Sequence, residues 1–187
     1  MKKIVLALVF CAITIIAKAQ DASVEKSLYG IQTGPIGIWG YNETKLTNSI
    51  ALRSEIGIEA GFSGGSNYNG TYFVVAPSIS LAPRWYYNLK KREGKSKRID
   101  GNSGNFVSLK TSYQTDLELA SNDEHVDLIS DITIIPTWGI RRNIGKHFNY
   151  EAGFGIGYIH YFKKDNVRLI NEADVAVNAH ARIGYTF

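Results

Sequence analysis

The 187-residue chain carries 21 Lys and Arg against 17 Asp and Glu, a formal net charge of +4, and a single cysteine. The pI of about 9.1 suggests a nucleic-acid partner, but Lys2, Lys3 and Lys18 fall in an amino-terminal segment expected to be removed, and the remaining 18 basic against 17 acidic residues exclude a strongly basic surface. Cys11 lies in the same segment, so the processed chain has no thiol for a disulfide, a thiolate metal site or a cysteine nucleophile.

Met1-Lys2-Lys3, the uncharged run from Ile4 to Ala17 and the small-residue close Ala17-Lys18-Ala19 follow the order of a secretory signal peptide. The apolar run is too short for a transmembrane helix, which needs roughly 18 residues or more. Cleavage is expected after Ala19, and Cys11 lies inside the run rather than at the cleavage point, so lipidation is not expected. Residues 20–187 then form one domain, without linker, repeat or low-complexity segment.

After Ser27 the chain divides into long alternating runs separated by polar breaks, with no sustained helical period, which predicts an all-β fold. The first run spans 28–42. In 50–62, Ile50, Leu52, Ser54, Ile56, Ile58, Ala60 and Phe62 share one face, while Ala51, Arg53, Glu55, Gly57, Glu59 and Gly61 share the other. The run 71–88 sets Phe73, Val75, Pro77, Ile79, Leu81, Pro83, Trp85 and Tyr87 against Ser78, Ser80, Arg84 and Asn88. In 105–117, Val107, Leu109, Thr111, Tyr113 and Leu117 oppose Ser108, Lys110, Ser112 and Gln114. The run 126–141 places Val126, Leu128, Ile132, Ile134, Trp138 and Ile140 opposite Asp127, Asp131, Thr133 and Arg141. In 148–162, Phe148, Tyr150, Phe154, Ile156 and Tyr158 oppose Asn149, Glu151, Gly153, Gly155 and Gly157. The last run, 174–187, sets Val175, Val177, Ala179, Ile183, Tyr185 and Phe187 against Asp174, Asn178, His180, Arg182 and Thr186. No charge falls on any apolar face.

Alternation alone leaves open whether the apolar face points in, as in a soluble barrel of the lipocalin sort, or out, towards lipid. Four observations favour the second. The charged face collects Arg53, Arg84, Lys110, Arg141 and Arg182 against Glu55, Glu59, Asp127, Asp131, Glu151 and Asp174, a near balance that suits a narrow lumen of paired charges. The runs exceed the average of about 5 to 6 residues for soluble strands and reach the roughly 9 to 11 needed by a membrane strand. Trp39, Tyr41, Trp85, Tyr86, Tyr87, Trp138, Tyr150, Tyr158, Tyr161, Phe162 and Tyr185 lie towards run ends, where an interfacial girdle belongs. Finally, Ile183, Tyr185 and Phe187 alternate up to the last residue.

That closing segment resembles the carboxy-terminal assembly signal of bacterial outer-membrane barrels. The resemblance implies reading of Ile183, Tyr185 and Phe187 by the barrel assembly machinery. Together with the signal peptide, Tyr29-Gly30-Ile31-Gln32-Thr33-Gly34, Pro83-Arg84-Trp85-Tyr86-Tyr87-Asn88 and Trp138-Gly139-Ile140-Arg141-Arg142, the chain resembles small outer-membrane β-barrel proteins of Bacteroidetes. It is similar in size to the OmpA and OmpX type of eight-stranded barrel. The resemblance implies an integral outer-membrane location and carries over no catalytic residues.

The seven runs fall one short of the even number found in bacterial single-chain barrels. An eighth strand is predicted from residues 21 to 33, with a break at Gly34-Pro35. Pro77 and Pro136 lie inside runs, where each removes a ladder donor, and predict bulges. The basic stretch Lys90, Lys91, Arg92, Lys95, Lys97 and Arg98 is periplasmic if Phe187 is periplasmic and the strands number eight. With another count it becomes an extracellular loop facing lipopolysaccharide phosphates.

For function, the charged lumen predicts an internal salt-bridge network anchored by Arg84 and Arg182 with Glu55, Glu59 and Glu151, and Gly153, Gly155 and Gly157 leave room for bulky lumen partners. Ser121, Asp123 and His125, with His160 and Ser112, are the candidates for lipid-modifying chemistry, but their spacing matches no nucleophile motif. The four histidines are scattered, without metal-ligand spacing, and no cofactor is expected. The leading expectation is a monomeric, non-enzymatic barrel with a structural or loop-mediated binding role, in contact with outer-membrane lipid and lipopolysaccharide and not with nucleic acid. A narrow channel for small polar solutes and an outer-membrane lipid-modifying enzyme are the alternatives.

Overall fold

The computed structural model describes residues 22–63, 72–121, 128–162 and 172–187. The alternating runs form strands β1 (Ser27–Gly34), β2 (Gly37–Lys45), β3 (Ile50–Ser63), β4 (Tyr72–Trp85), β5 (Asn105–Gln114), β6 (Ala120–Ser121), β7 (Asp131–Ile144), β8 (Phe148–Tyr161) and β9 (Ala173–Thr186). Between β4 and β5 lie a short helix α1 (Leu89–Glu93) and a 3-10 turn (Asp100–Asn102). Every long strand pairs antiparallel with its neighbours in the chain, and β1 pairs with β9, from Gly30↔Thr186 to Thr33↔Ile183. The result is a closed eight-stranded barrel, with the two-residue β6 as an extra rung on β4. Closure removes the free edges that an open sheet would expose.

The eighth strand comes from dividing the 28–42 run. Gly34-Pro35-Ile36-Gly37 turns the chain back on itself, with Gly34 paired to Gly37 and Thr33 Oγ1 donating to Gly37 O at 3.1 Å. Residues 22–26 form no strand of their own, although Lys26 O still accepts from Lys45 N at 3.0 Å. They run beneath the barrel, where Val24 N donates to Asn48 O at 2.9 Å. β1 begins and β9 finishes at one end of the barrel, called proximal here. The segment 86–104 and the turns 46–49 and 145–147 share that end, and Gly145 enters its turn at φ 62°.

The predicted bulge at Pro136 is not found. Pairing with β8 stops at Ile134↔Tyr158 and resumes at Thr137↔Gly155 with equal residue counts on both strands, so the ladder has a gap and keeps its register. Pro136 stays opposite Leu109 of β5, because the ring removes a donor from one edge of the strand only. Opposite Pro77 the partner strand is irregular: from Ser78↔Gln114 to Val75↔Ala120, β4 advances three residues and its partner six.

The pleat turns the charged set inward and the apolar set outward. Arg53, Glu55, Arg84, Arg141, Glu151 and Arg182 are buried, whereas Ile56 is 67% exposed and Val177 61%. A soluble barrel would have the reverse. The buried apolar cluster sits at the proximal end instead, where Ala22, Val24, Ala51, Tyr86, Leu89 and Phe106 pack with Ile99. Trp39, Tyr41 and Tyr86, expected in an interfacial girdle, are buried on the inside. Odd positions of β2 face the lumen, and Tyr86 continues the inward face of β4, so position near a run end did not decide their side. Trp85, Tyr87, Trp138, Tyr150 and Tyr185 do face outward on the proximal half, and Tyr158 and Phe162 on the distal half.

Candidate functional site

The inward face of the proximal half gathers the charged side chains into one buried cluster. Arg53 of β3 reaches Glu55 on its own strand (Nε–Oε1 2.5 Å) and Glu43 on β2 (Nη1–Oε1 3.0 Å), and donates to Gln32 Oε1 on β1 at 2.6 Å. Arg84 of β4 makes a two-pronged pair with Glu151 of β8, at 2.8 and 2.7 Å, and a further contact with Glu43 at 3.2 Å. Arg182 of β9 pairs with Glu55 at 2.9 Å. Arg141 of β7 donates through Nη2 to Tyr41 Oη at 2.6 Å, and its Nη1 lies 3.5 Å from Glu151. His180 Nε2 is 3.3 Å from the same carboxylate.

Each pairing offsets part of the large cost of taking an ion out of water, and aromatic faces cover several of the guanidinium groups, while Arg84 Nε, Arg141 Nη1 and Arg182 Nε stay buried without a hydrogen-bond partner among the described residues. Arg53 lies over the Tyr41 ring at 3.9 Å, Arg182 over Trp39 at 3.8 Å and Arg84 over Phe106 at 4.3 Å. Neutral groups extend the cluster: Gln32 Nε2 donates to Asn149 Oδ1 at 2.7 Å, and Asn149 Nδ2 to Thr186 Oγ1 at 3.0 Å. The cluster therefore bridges β1, β2, β3, β4, β7, β8 and β9 across the lumen.

The segment 86–104 seals this half from below. Asn102 Nδ2 donates to Glu43 Oε2 at 2.6 Å, Tyr86 Oη to the same oxygen at 3.0 Å, and Arg141 Nε to Gly101 O at 3.0 Å. Asn102 Oδ1 accepts from Glu25 N at 2.8 Å, which ties in the amino-terminal strap. Burial, then the neighbouring Glu43 carboxylate, push the Tyr86 phenol above its ordinary range, so it stays a donor.

Of the lumen residues predicted from sequence, Arg53, Glu55, Arg84, Arg141, Glu151 and Arg182 meet in the cluster. Glu59 lies further from the proximal end, accepting from Trp39 Nε1 at 2.6 Å and Ser78 Oγ at 2.9 Å rather than from an arginine. Lys110 and Asp131 are half-buried further along the lumen, outside the cluster. Asp127 lies outside the described residues, as do Asp123 and His125 of the candidate enzymatic group and the signal segment 1–19. His160 stacks against Tyr158 and meets Phe162 edge-on. Among the described residues no group of three or more His, Cys, Asp or Glu is placed to hold a metal ion. Gly153 leaves the space taken by His180, as predicted, whereas Gly155 and Gly157 admit the backbone of β7 at Pro136 O and Ile134 O.

Sequence reasoning missed Glu43, Gln32, Tyr41, Asn149, Tyr86 and Asn102 as members. Glu43 had a signal, being in step with Trp39 and Tyr41 one residue beyond the 28–42 run; Asn102 had none, because it arrives from an irregular segment.

Ile183, Tyr185 and Phe187 all face outward, Phe187 N donating to Tyr29 O at 2.9 Å and its ring meeting Tyr185 at 5.5 Å. The basic residues Lys90, Lys91, Arg92, Lys95, Lys97 and Arg98 sit at the proximal end in and after α1, with Arg98 paired to Asp100 at 2.5 Å. No protein-family model, curated protein or solved structure matches the chain.

Proposed function

We propose that the chain is an integral outer-membrane barrel with a closed lumen, a structural or surface-binding component of the envelope rather than a pore or an enzyme. The observation that carries this reading is the buried cluster of Arg53, Arg84, Arg141 and Arg182 with Glu43, Glu55 and Glu151, sealed beneath by Asn102 and Tyr86. A conduit needs a hydrated path, and here the charges are buried against one another in ion pairs, with Arg84 Nε, Arg141 Nη1 and Arg182 Nε left without a hydrogen-bond partner among the described residues. An eight-stranded barrel leaves little more room than its own side chains fill.

Location is supported by the apolar exterior, by strands of 14 residues in β3, β4, β7, β8 and β9, and by the secretory pattern at the amino terminus. The proximal end faces the periplasm in this reading. Two of its three connections, the turns 46–49 and 145–147, are short, in keeping with the short periplasmic turns of bacterial barrels; the third is the segment 86–104 that folds back under the lumen. The Ile183, Tyr185 and Phe187 pattern fits delivery by the barrel assembly machinery, and ring closure fits a monomer.

Fractionation of the envelope, followed by a denaturing gel with and without boiling, tests the location. The protein should sediment with the outer membrane and migrate differently before boiling. Recovery in a soluble fraction would end the proposal. Reconstitution in planar bilayers tests closure: well-folded protein should give no steady conductance, and a reproducible ohmic step would reinstate the channel.

A further inference from the structure

At the proximal rim a cavity of about 430 Å³ is lined by Tyr87, Asn88, Lys91, Arg92, Lys95, Lys97, Asn105 and Arg142. Five of these are cations and none is a carboxylate. Of the two acids in the same segment, Asp100 is engaged by Arg98, and Glu93 at the end of α1 is exposed and does not line the cavity. Arg142 is clamped in place, with Nη1 donating to Gly104 O at 2.7 Å and to Arg141 O at 2.6 Å, and Nη2 to Asn105 Oδ1 at 2.6 Å. Arg92 is steadied by Arg98 O at 2.8 Å. Among the described residues, the ammonium groups of Lys91, Lys95 and Lys97 have no ion-pair or hydrogen-bond partner. Like charges gathered around one cavity repel one another, and an anion among them relieves that repulsion.

A second recess of about 330 Å³ lies beside the first on the outer wall, formed by Ile50, Pro83, Trp85, Val107, Leu109 and Pro136, with Ser108. Its lining is almost wholly apolar. The aromatic side chains join the two. Tyr87 lines the basic cavity, and its ring stands 6.0 Å from that of Trp85, which lines the apolar recess. Trp138, paired with Val107 of the recess, donates to Tyr87 Oη at 2.9 Å. Along the barrel axis the order is apolar recess, aromatic rim, cationic cavity, the same order as acyl chain, interface and headgroup in a lipid leaflet.

The geometry points to a seat for one anionic glycerophospholipid of the leaflet that meets the proximal end. Its phosphate lies among Lys91, Lys95, Lys97 and Arg142, and an acyl chain lies in the recess between Pro83 and Pro136. A soluble phosphate would use the cavity alone and leave the recess idle. The inference deepens the membrane reading above and rests on it for the leaflet, but not for the binding chemistry.

The test uses the processed chain, folded in a non-ionic detergent, with binding followed by native mass spectrometry. The probes are dihexanoyl phosphatidylglycerol, dihexanoyl phosphatidylcholine and glycerol 3-phosphate. Phosphatidylglycerol should bind at least about tenfold more tightly than either other probe. The exposed triple variant Lys91→Gln/Lys95→Gln/Lys97→Gln should lose that preference. Leu109→Trp, which fills the recess without adding charge, should weaken phosphatidylglycerol while leaving glycerol 3-phosphate unchanged. Equal binding of the two lipids, glycerol 3-phosphate binding as tightly as phosphatidylglycerol, or indifference to either variant would overturn the assignment. Because the measurement is made in detergent, a failure here is separate from a failure of the fractionation test.

Discussion

Arg84 and Glu151, 67 residues apart in sequence, meet inside the barrel in a two-pronged ion pair of 2.7 and 2.8 Å. The pair links β4 to β8, which have β5 and β7 between them along the wall, so it acts as a strut through the lumen. It is not an isolated pair. Glu151 is also within 4.0 Å of Arg53 and Arg141, so one carboxylate answers three guanidinium groups.

That sharing makes the two partners unequal. The cluster holds four arginines and three glutamates, so Arg84→Gln leaves three of each, whereas Glu151→Gln leaves four cations with two anions. Stranding a buried charge costs about 3–5 kcal/mol. Glu151→Gln should therefore lower the unfolding free energy by about that amount, and Arg84→Gln by clearly less. Urea titration of the folded barrel, read by the gel shift of the unboiled protein, measures both. An equal loss in the two variants would mean that the charge count does not govern the cluster.

The outward face offers a test that separates lipid from water. Ile56 is 67% exposed near the middle of β3, and Phe148 is 61% exposed at the proximal rim. An arginine on the lipid face costs about 2–4 kcal/mol at the bilayer midplane and about 0–1 near the interface. Ile56→Arg should destabilise the barrel folded into bilayers by several times more than Phe148→Arg does. In water an exposed isoleucine could take arginine almost freely, so equal and small effects would remove the bilayer from the account.

How much of this was legible depended on which residues a two-residue period reaches. Arg53, Glu55, Arg84, Arg141, Glu151 and Arg182 are named by the pleat alone, because each shares a face with other charges and opposes an apolar face. The pattern separates the two faces but not which of them points inward; the balance of charges on one face and the length of the runs decide that. Aromatic character at the end of a run points Trp39 and Tyr41 to an outer girdle, but phase in β2 puts both on the inward face of Glu43. Asn102 and Gly101 enter the cluster from a turn without periodicity, and their role depends on tertiary contact that no local pattern encodes. Pro136 predicts a bulge from the lost donor, but the strand absorbs the loss as a gap in the ladder without an extra residue.

The turn beneath the cluster makes its own prediction. Gly101 and Asn102 both have left-handed backbones, at φ 57° and 59°. A Cβ on Gly101 would run into the Asn143 amide. Gly101→Ala should thus lift the 86–104 segment off the lumen. Asn102→Gly keeps the backbone freedom and removes only the bonds to Glu43 and Glu25, at a cost of about 1–3 kcal/mol for the buried carboxylate left short of a donor. Hydrogen exchange of residues 86–104 should quicken in both variants while the β7–β8 amides stay protected. Unchanged protection of the segment would show that its apolar packing, through Leu89 and Phe106, holds it without the polar contacts.

Gly57 and Gly61 share the inward face of β3 and offer a matched comparison of the space a lumen glycine leaves. At Gly57 an added Cβ would collide with the indole of Trp39, and at Gly61 its nearest neighbour is Val74 O at 3.9 Å, an ordinary contact. Trp39 cannot move without consequence, since its ring carries Arg182 at 3.8 Å and its Nε1 donates to Glu59 at 2.6 Å. Displacing it disturbs the Arg182–Glu55 pair, although neither residue has been changed. Gly57→Ala should therefore cost about 1–3 kcal/mol, the range for overpacking a close-fitted interior, and Gly61→Ala close to none. The same urea titration reads the stability, and the tryptophan emission should shift to the red in Gly57→Ala alone. A Gly57→Ala barrel as stable as Gly61→Ala, with unchanged emission, would mean that Trp39 has slack, and that the stack of Arg182 on its ring is a consequence of barrel closure rather than a support for the ion cluster.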